Sequence, residues 1–141
     1  MFSRQATFPL VGLVLLLGCT SENPEAQVKR AFVRCVQDLE AGDGRAALEV
    51  LGPAFEGPEG LDRDGARLYL LGLLQQGRIG ITVVQSRIEA GEQEAFQEVD
   101  VLLTRRGGRT LLPDETSRQS FQIRWERRKG AWKVKSLQNR S

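Results

Sequence analysis

The chain has 141 residues, of which 40% are apolar and 27% are charged, and its formal net charge is +2. This balance excludes a disordered tail, a collagen-like fibre and a membrane protein with several spans, and it predicts one compact domain. The sequence has no histidine and only two cysteines. Histidine-based catalytic dyads, histidine metal sites and four-thiolate zinc or iron–sulfur sites are therefore excluded, and we predict no metal and no cofactor.

Residues 1–18 have the pattern of a secretory leader. Arg4 gives a positive charge before the apolar run Phe8–Leu17, which is too short to span a bilayer because a spanning helix needs about 20 apolar residues. The junction Leu-Leu-Gly-Cys that ends at Cys19 resembles the lipobox of bacterial lipoproteins. That resemblance implies that Cys19 is acylated, that it becomes the first residue of the mature chain, and that 19–22 form a lipidated tether.

The lipobox resemblance also implies a location. In such lipoproteins an aspartate after the cysteine favours retention in the inner membrane, whereas this sequence has Thr20. We therefore expect, in a cell with two membranes, an outer-membrane lipoprotein of the cell envelope that faces the periplasm. The alternative is an ordinary signal peptide followed by a chance cysteine.

Two helices are predicted at the start of the mature domain, residues 23–141. The first runs from Asn23 to Gly42, because Asn-Pro-Glu is typical of a helix start and an apolar stripe at helical spacing follows. Asp43 is predicted to cap a second, shorter helix that continues through Leu51 and ends at Gly-Pro. A loop over 54–60 should follow, since glycine and proline are frequent there.

A third helix is predicted from Asp62 to Gln76. Its second half, 68–74, is apolar almost all round. A helix without a polar face has to be covered by several neighbours. We therefore expect this helix to be buried on more than one side.

From Ile79 onward the apolar residues recur with a period of two, which is typical of strands. The first strand changes phase near Val83 and Val84, which predicts a bulge there. Further strands are predicted around 94–103, 121–126 and 132–134, with turns at 106–109, 113–114 and 129–130. Helices followed by a meander of strands indicate an α+β fold, in which the N-terminal helices pack on one face of an antiparallel sheet.

The order and spacing of these motifs resemble those of the NTF2-like (cystatin-like, SnoaL-like) superfamily. The motifs are Pro-Glu at position 24, Gly-Asp at position 42, Ala-Leu at position 47, and the closing run Gly130–Val134. The resemblance covers nearly all of 23–138. It implies a curved sheet wrapped around helices to form a cone, whose open end can hold an apolar ligand.

Enzymes of this superfamily use an acid or base that projects into the cone. The apolar phase of the predicted strands contains no carboxylate, and Asp100, a weak candidate for a general base, lies on the opposite phase. Tyr69, Trp125 and Trp132 could line a ligand pocket, or they could be core residues. Cys35, on the apolar stripe of the first helix, is predicted to be a small buried residue.

Charge is unevenly distributed along the chain. Residues 19–100 contain 8 basic and 15 acidic residues, whereas 101–141 contain 11 basic and 3 acidic ones. Basic side chains of the last strands and their turns could face phospholipid headgroups, anionic glycans or an acidic partner, or they could balance the acidic half within one molecule or a dimer. The candidate anion-facing residues are Arg105, Arg106, Arg109, Arg127, Arg128 and Lys129. The Arg-Gly-Gly-Arg turn occurs once and lacks interleaved aromatics, so we expect no nucleic-acid partner.

The sequence favours a membrane-anchored protein with a non-catalytic binding or scaffolding role. One alternative is an enzyme of the isomerase or dehydratase type that uses the cone as its active site. The other is a subunit of an envelope assembly, or a homodimer, that pairs through the exposed sheet face, where Phe96 and Leu102 are apolar exceptions.

Overall fold

The computed structural model describes residues 22–106 and 117–140, which form three α-helices packed on one five-stranded sheet. The helices are α1 (Pro24–Glu40), α2 (Gly44–Leu48) and α3 (Arg63–Gln75), with a short 3-10 turn at Pro58–Gly60. The strands are β1 (Leu51–Glu56), β2 (Arg78–Ala90), β3 (Glu94–Arg106), β4 (Ser117–Arg128) and β5 (Ala131–Asn139). This architecture confirms the predicted α+β class. Cys19 and the predicted turns at 107–109 and 113–114 lie outside the described residues.

The sheet has the strand order β1-β5-β4-β3-β2. Strands β2 to β5 form the predicted antiparallel meander, and β1 adds a parallel edge beside β5. In β2, Val83 lies opposite Val101 while Gln85 lies opposite Asp100, which leaves Val84 as the extra residue. This confirms the predicted bulge, which increases the local twist of the sheet.

Side-chain caps begin all three helices at the positions that the sequence predicts. Asn23 Oδ1 accepts from the Ala26 N–H at 2.7 Å, and Asp62 Oδ1 accepts from Gly65 at the same distance. Asp43 caps α2 through Ala46. These carboxylate and amide oxygens satisfy backbone donors that have no partner within the helix.

The segment after α2 differs from the prediction of a longer helix and a loop. Helix α2 ends at Leu48, and Leu51–Glu56 is a strand whose start is held by a hydrogen bond of 2.7 Å from the Val134 N–H to the Val50 carbonyl. From the sequence alone, Gly52-Pro53 indicates the end of a helix followed by a loop. An edge strand tolerates proline, however, because one side of its backbone makes no ladder hydrogen bonds.

Helix α3 has the predicted bounds, but the expectation that it is buried on several sides is wrong. Leu68, Tyr69 and Leu71 are 73%, 67% and 41% exposed. Only one side of the helix contacts the rest of the domain: Ala66 packs against the core, and a Cβ at Gly44 would lie 3.1 Å from a methyl carbon of Leu74. The apolar run predicts two-sided burial, but the described part of the chain covers only one side.

The core lies between the helices and the inward phase of the sheet. The inward faces of β3 and β4 are as predicted, because their alternate residues are buried. The buried core consists of Val28, Phe55, Ala95, Val99, Val101, Ile123, Trp125, Trp132 and Val134. It therefore draws on α1 and on four of the five strands.

Candidate functional site

The concave face of the sheet is where the resemblance places a ligand cavity. In the described residues this space is filled by large side chains, of which Trp125 and Trp132 are only 2% and 7% exposed. Val28 of α1 and Phe55 of β1 complete the packing. The two tryptophans are thus core residues, which was one of the two readings left open by the sequence.

Gln97 is the one fully buried polar side chain in this interior, among the described residues. Its Oε1 accepts a hydrogen bond of 3.0 Å from Trp125 Nε1, and its Nε2 donates at 3.1 Å to Ser86 Oγ. The amide is therefore satisfied and has no titratable proton. Gln97 was missed as a candidate, although a polar residue within the apolar phase of a strand was the available signal.

Trp132 joins the first helix to the last hairpin. Its Nε1 donates to Gln27 Oε1 at 3.0 Å, and Gln27 Nε2 donates in turn to the Glu22 carbonyl at 3.0 Å. The guanidinium of Arg127 lies 5.7 Å from the centroid of the Trp132 ring, a distance suited to a cation–π contact. The ring is therefore held by one hydrogen bond and one cation–π contact as well as by burial.

Tyr69 was a candidate for lining a pocket or for the core, and it does neither. It lies on the outward face of α3, away from the buried residues. Its neighbours in the helix predict burial, but the side of α3 that meets the domain carries other residues, such as Ala66. Whether Tyr69 is buried depends on which side of α3 faces the sheet, and an apolar run without a polar face does not specify that side.

The carboxylates of β3 lie on the outer face of the sheet. Asp100 Oδ2 is 3.7 Å from Arg118, and Glu98 is 3.0 Å from Arg140 and 3.4 Å from Arg87. Such partly exposed ion pairs contribute little to stability. The candidate base Asp100 therefore does not project into the interior, and it pairs with a cation instead.

The two apolar exceptions on the outer face, Phe96 and Leu102, are half-buried. A shallow depression beside Phe96 is lined mainly by charged side chains, including Arg124 and Lys135. Phe96 is therefore surrounded by charged side chains on the outer face.

The candidate basic residues do not form one surface. Arg105 lies at the end of β3 and donates to Gln76 at 2.5 Å, whereas 127–129 lie at the opposite end of the sheet. Arg127 is bonded to the turn between β2 and β3, because its backbone N–H donates to the Gln93 carbonyl at 2.8 Å. The side chain of Arg106 and the whole of Arg109 lie outside the described residues.

Arg128 is the last residue of β4, and Lys129 lies in the turn between β4 and β5. Arg128 pairs with Glu126 at 3.2 Å, while Lys129 is exposed and adopts a φ of 51°. The cations of this turn are thus partly balanced by carboxylates within the molecule.

Cys35 lies in α1 and is half-buried, whereas the sequence predicts a fully buried residue. Its thiol donates a weak hydrogen bond of 3.8 Å to the Ala47 carbonyl. Burial, with a smaller contribution from the negative charge of Asp38, raises the pKa of the Cys35 thiol from 9.0 to about 11. The thiol is therefore protonated at neutral pH, and a protonated thiol is a poor nucleophile.

The described residues contain neither a cluster of metal ligands nor a membrane-spanning helix. In residues 22–106 and 117–140 no three cysteine, aspartate or glutamate side chains come together as ligands for a metal ion. Within the same ranges, each helix is too short or too polar to cross a bilayer.

Comparison with protein-family models and with curated proteins found no match. Comparison with solved structures found proteins of similar fold. An NTF2-like protein from Pseudomonas putida superposes with a TM-score of 0.67 at 11% identity, covering 82% of this chain and 84% of that one. A cystatin-like protein from Nostoc punctiforme has a TM-score of 0.64 at 13% identity, covering 81% and 87%.

The chain has the NTF2-like, or cystatin-like, fold. A candidate scytalone dehydratase from Novosphingobium aromaticivorans shares this NTF2-like fold, with a TM-score of 0.70 at 16% identity over 82% of this chain and 81% of that one. At such identities the likeness concerns the fold alone. The function of an NTF2-like domain has to be argued from its own side chains.

Proposed function

We propose that this chain is a bacterial lipoprotein of the outer membrane, tethered through acylated Cys19, whose NTF2-like domain faces the periplasm and binds or scaffolds without catalysing a reaction. The tether is proposed from the sequence Leu-Leu-Gly-Cys after a short apolar run. Several acyl chains on one residue would anchor the domain stably, whereas a single chain anchors only marginally.

The observation that carries the non-catalytic part of this proposal is the filled interior of the sheet. A general acid or base needs both reach to a substrate and a suitable pKa. The fully buried polar group found there, Gln97, is an amide whose oxygen and nitrogen are bonded to Trp125 and Ser86. The likeness to a candidate dehydratase is not matched by a titratable side chain in the described part of this interior.

The tether is tested by Cys19→Ser in the cell of origin, with labelled fatty acid and separation of membrane and soluble fractions. We expect complete loss of acyl label and release of the protein from the membrane fraction, because serine has no thiol to be alkylated. Thr20→Ser is the matched control and should keep both the label and the membrane location. Membrane retention of the Cys19→Ser chain would reject the anchor.

A further inference from the structure

We propose that two copies of this chain pair antiparallel through the free edge of β2, so that their two sheets join into one. We call this surface the paired edge and define it as residues 86–90. The two copies are related by a two-fold axis that passes beside Ile88. The contact uses the edge of the sheet and not its outer face, and it does not depend on the proposed tether.

Strand β2 ends the sheet, so one side of its backbone has no neighbouring strand. It is 13 residues long, and every residue from Thr82 to Arg87 is exposed. Proteins usually shield such an edge, because its unpaired N–H and C=O groups can pair with another chain. Proline and lysine are two common shields, and β2 contains neither. The strand is therefore a candidate for pairing between chains.

The first half of β2 is shielded, whereas the second half is not. Glu40 Oε2 accepts a hydrogen bond of 3.1 Å from the Ile81 N–H, which caps the edge at that position. The bulge at Val84 then interrupts the ladder. Beyond the bulge, no loop or side chain of the described ranges is hydrogen-bonded to the backbone of 86–90 from outside the sheet. The available edge is therefore the segment 86–90.

The hydrogen bond to Glu40 also shows which backbone groups of β2 face outward. Because the Ile81 N–H points away from β3, Ile81 and Leu103 form a pair that exchanges no backbone hydrogen bonds. Such pairs alternate along an antiparallel ladder, so every second residue of β3 from Leu103 to Ala95 belongs to one. Beyond the bulge their partners in β2 are Ser86, Ile88 and Ala90. The N–H and C=O groups of these three residues therefore face the free edge.

The charges beside the edge select one register for two copies. Arg87 and Glu89 lie on the outer face of the sheet, since they are opposite Glu98 and Phe96. When Ile88 lies opposite Ile88 of the second copy, each Arg87 lies opposite Glu89 of the other copy. Sliding the strands by two residues in either direction places Arg87 opposite Arg87 or Glu89 opposite Glu89. Like charges directly opposite each other destabilise a strand pair.

A second copy supplies what each of these side chains lacks. Glu89 is exposed and forms no ion pair within the described part of the chain. Arg87 is 3.4 Å from Glu98, yet 65% of its side chain is exposed. In the selected register the Cα atoms of Arg87 and the opposing Glu89 are about 4.5 Å apart, and the backbones exchange about six hydrogen bonds. Because the contact is the same on both copies, it closes as a dimer and leaves no exposed segment at 86–90.

The first test reverses the charges one at a time in the chain from Thr20 onward, which contains every described helix and strand. Sedimentation equilibrium measures the dissociation constant of the dimer. Arg87→Glu and Glu89→Arg each turn two attractive pairs into repulsive ones. We expect each to weaken dimerisation about thirtyfold, from roughly fivefold per pair.

Arg118→Glu is the matched control. Arg118 pairs with Asp100 as Arg87 pairs with Glu98, and the two arginine side chains are 63% and 65% exposed. Arg118 lies on β4, however, inside the sheet and away from the paired edge. The dimer should therefore be unaffected. Equal weakening by Arg118→Glu and Arg87→Glu would contradict pairing through β2.

An equimolar mixture of the Arg87→Glu and Glu89→Arg chains gives the sharpest result. In a mixed dimer two carboxylates face two cations, so both pairs are attractive again. We expect the mixture to dimerise about as strongly as the parent, at concentrations where each variant alone is monomeric. A variant that had failed to fold would not be rescued in this way. A mixture that stays monomeric, or a parent that stays monomeric up to its solubility limit, would overturn the proposal.

The second test uses the full chain in the cell of origin. The photoreactive residue benzoylphenylalanine at position 85, which is exposed and next to the paired edge, should give a cross-linked product of twice the mass of the chain. Adding Arg87→Glu should remove that product. The same residue at position 138, exposed on β5, should give none. Cross-links from position 85 to another protein alone would assign the edge to a different partner and overturn the proposal.

Discussion

Replacing Trp132 with alanine is expected to lower the free energy of unfolding by about 3–5 kcal/mol. The ring is buried, so its removal leaves a cavity in the core. The change also leaves Gln27 Oε1 without its donor and removes the aromatic face beneath Arg127. Urea denaturation followed by circular dichroism measures the effect.

Two further variants separate the causes. Trp132→Phe keeps much of the apolar packing and loses the hydrogen bond, so we expect a smaller loss of about 1–2 kcal/mol. Leu68→Ala shortens an apolar side chain that is exposed, and its effect should stay within about 0.5 kcal/mol. A Trp132→Ala chain as stable as the Leu68→Ala chain would contradict the burial of the ring.

Gln97→Glu is expected to make stability depend strongly on pH. A protonated carboxyl can still accept from Trp125 and donate to Ser86, so the variant should be close to the parent at pH 4. Burial disfavours the charged carboxylate and raises its pKa in the folded state above the unfolded value of about 4.3. The folded state then holds the proton more tightly, and stability falls as pH rises from about 4.3 to the folded pKa.

The expected loss approaches about 1.4 kcal/mol per pH unit over that window and reaches about 3 kcal/mol at pH 7. Gln138→Glu, at an exposed position of β5, is the matched control and should show no such slope. Equal pH dependence in the two variants would mean that position 97 is open to water. That result would favour a cone that can admit a substrate.

Much of the fold follows from local signals in the sequence. Asn23, Asp43 and Asp62 predict the three helix starts, because each side-chain oxygen caps a helix that follows it directly. The alternation in β3 predicts its buried phase, and the phase change in β2 predicts the bulge at Val84. These features depend on residues that are close in the chain.

The features that the sequence did not predict depend on distant partners. β1 exists because β5 offers a free edge, so Pro53 does not break it. The outward placement of Tyr69 depends on which side of α3 meets the domain. The bond between Gln97 and Trp125 depends on the register of β3 against β4, where Gln97 lies opposite Ile123.

The candidate basic residues illustrate the same limit. Arg105 and Arg127 belong to one charged half of the sequence, yet antiparallel strands carry them to opposite ends of the sheet. Arg127 also contacts the turn between β2 and β3, where its Nη1 donates a hydrogen bond of 3.4 Å to the Glu92 carbonyl. Charge counted along the chain therefore did not predict where cations gather in space.

The mass of the N-terminal peptide of the protein purified from membranes tests the central claim most directly. The account predicts a peptide that begins at Cys19 and carries the added mass of acyl chains. A peptide that retains the leader, or one whose Cys19 thiol is free, would contradict it.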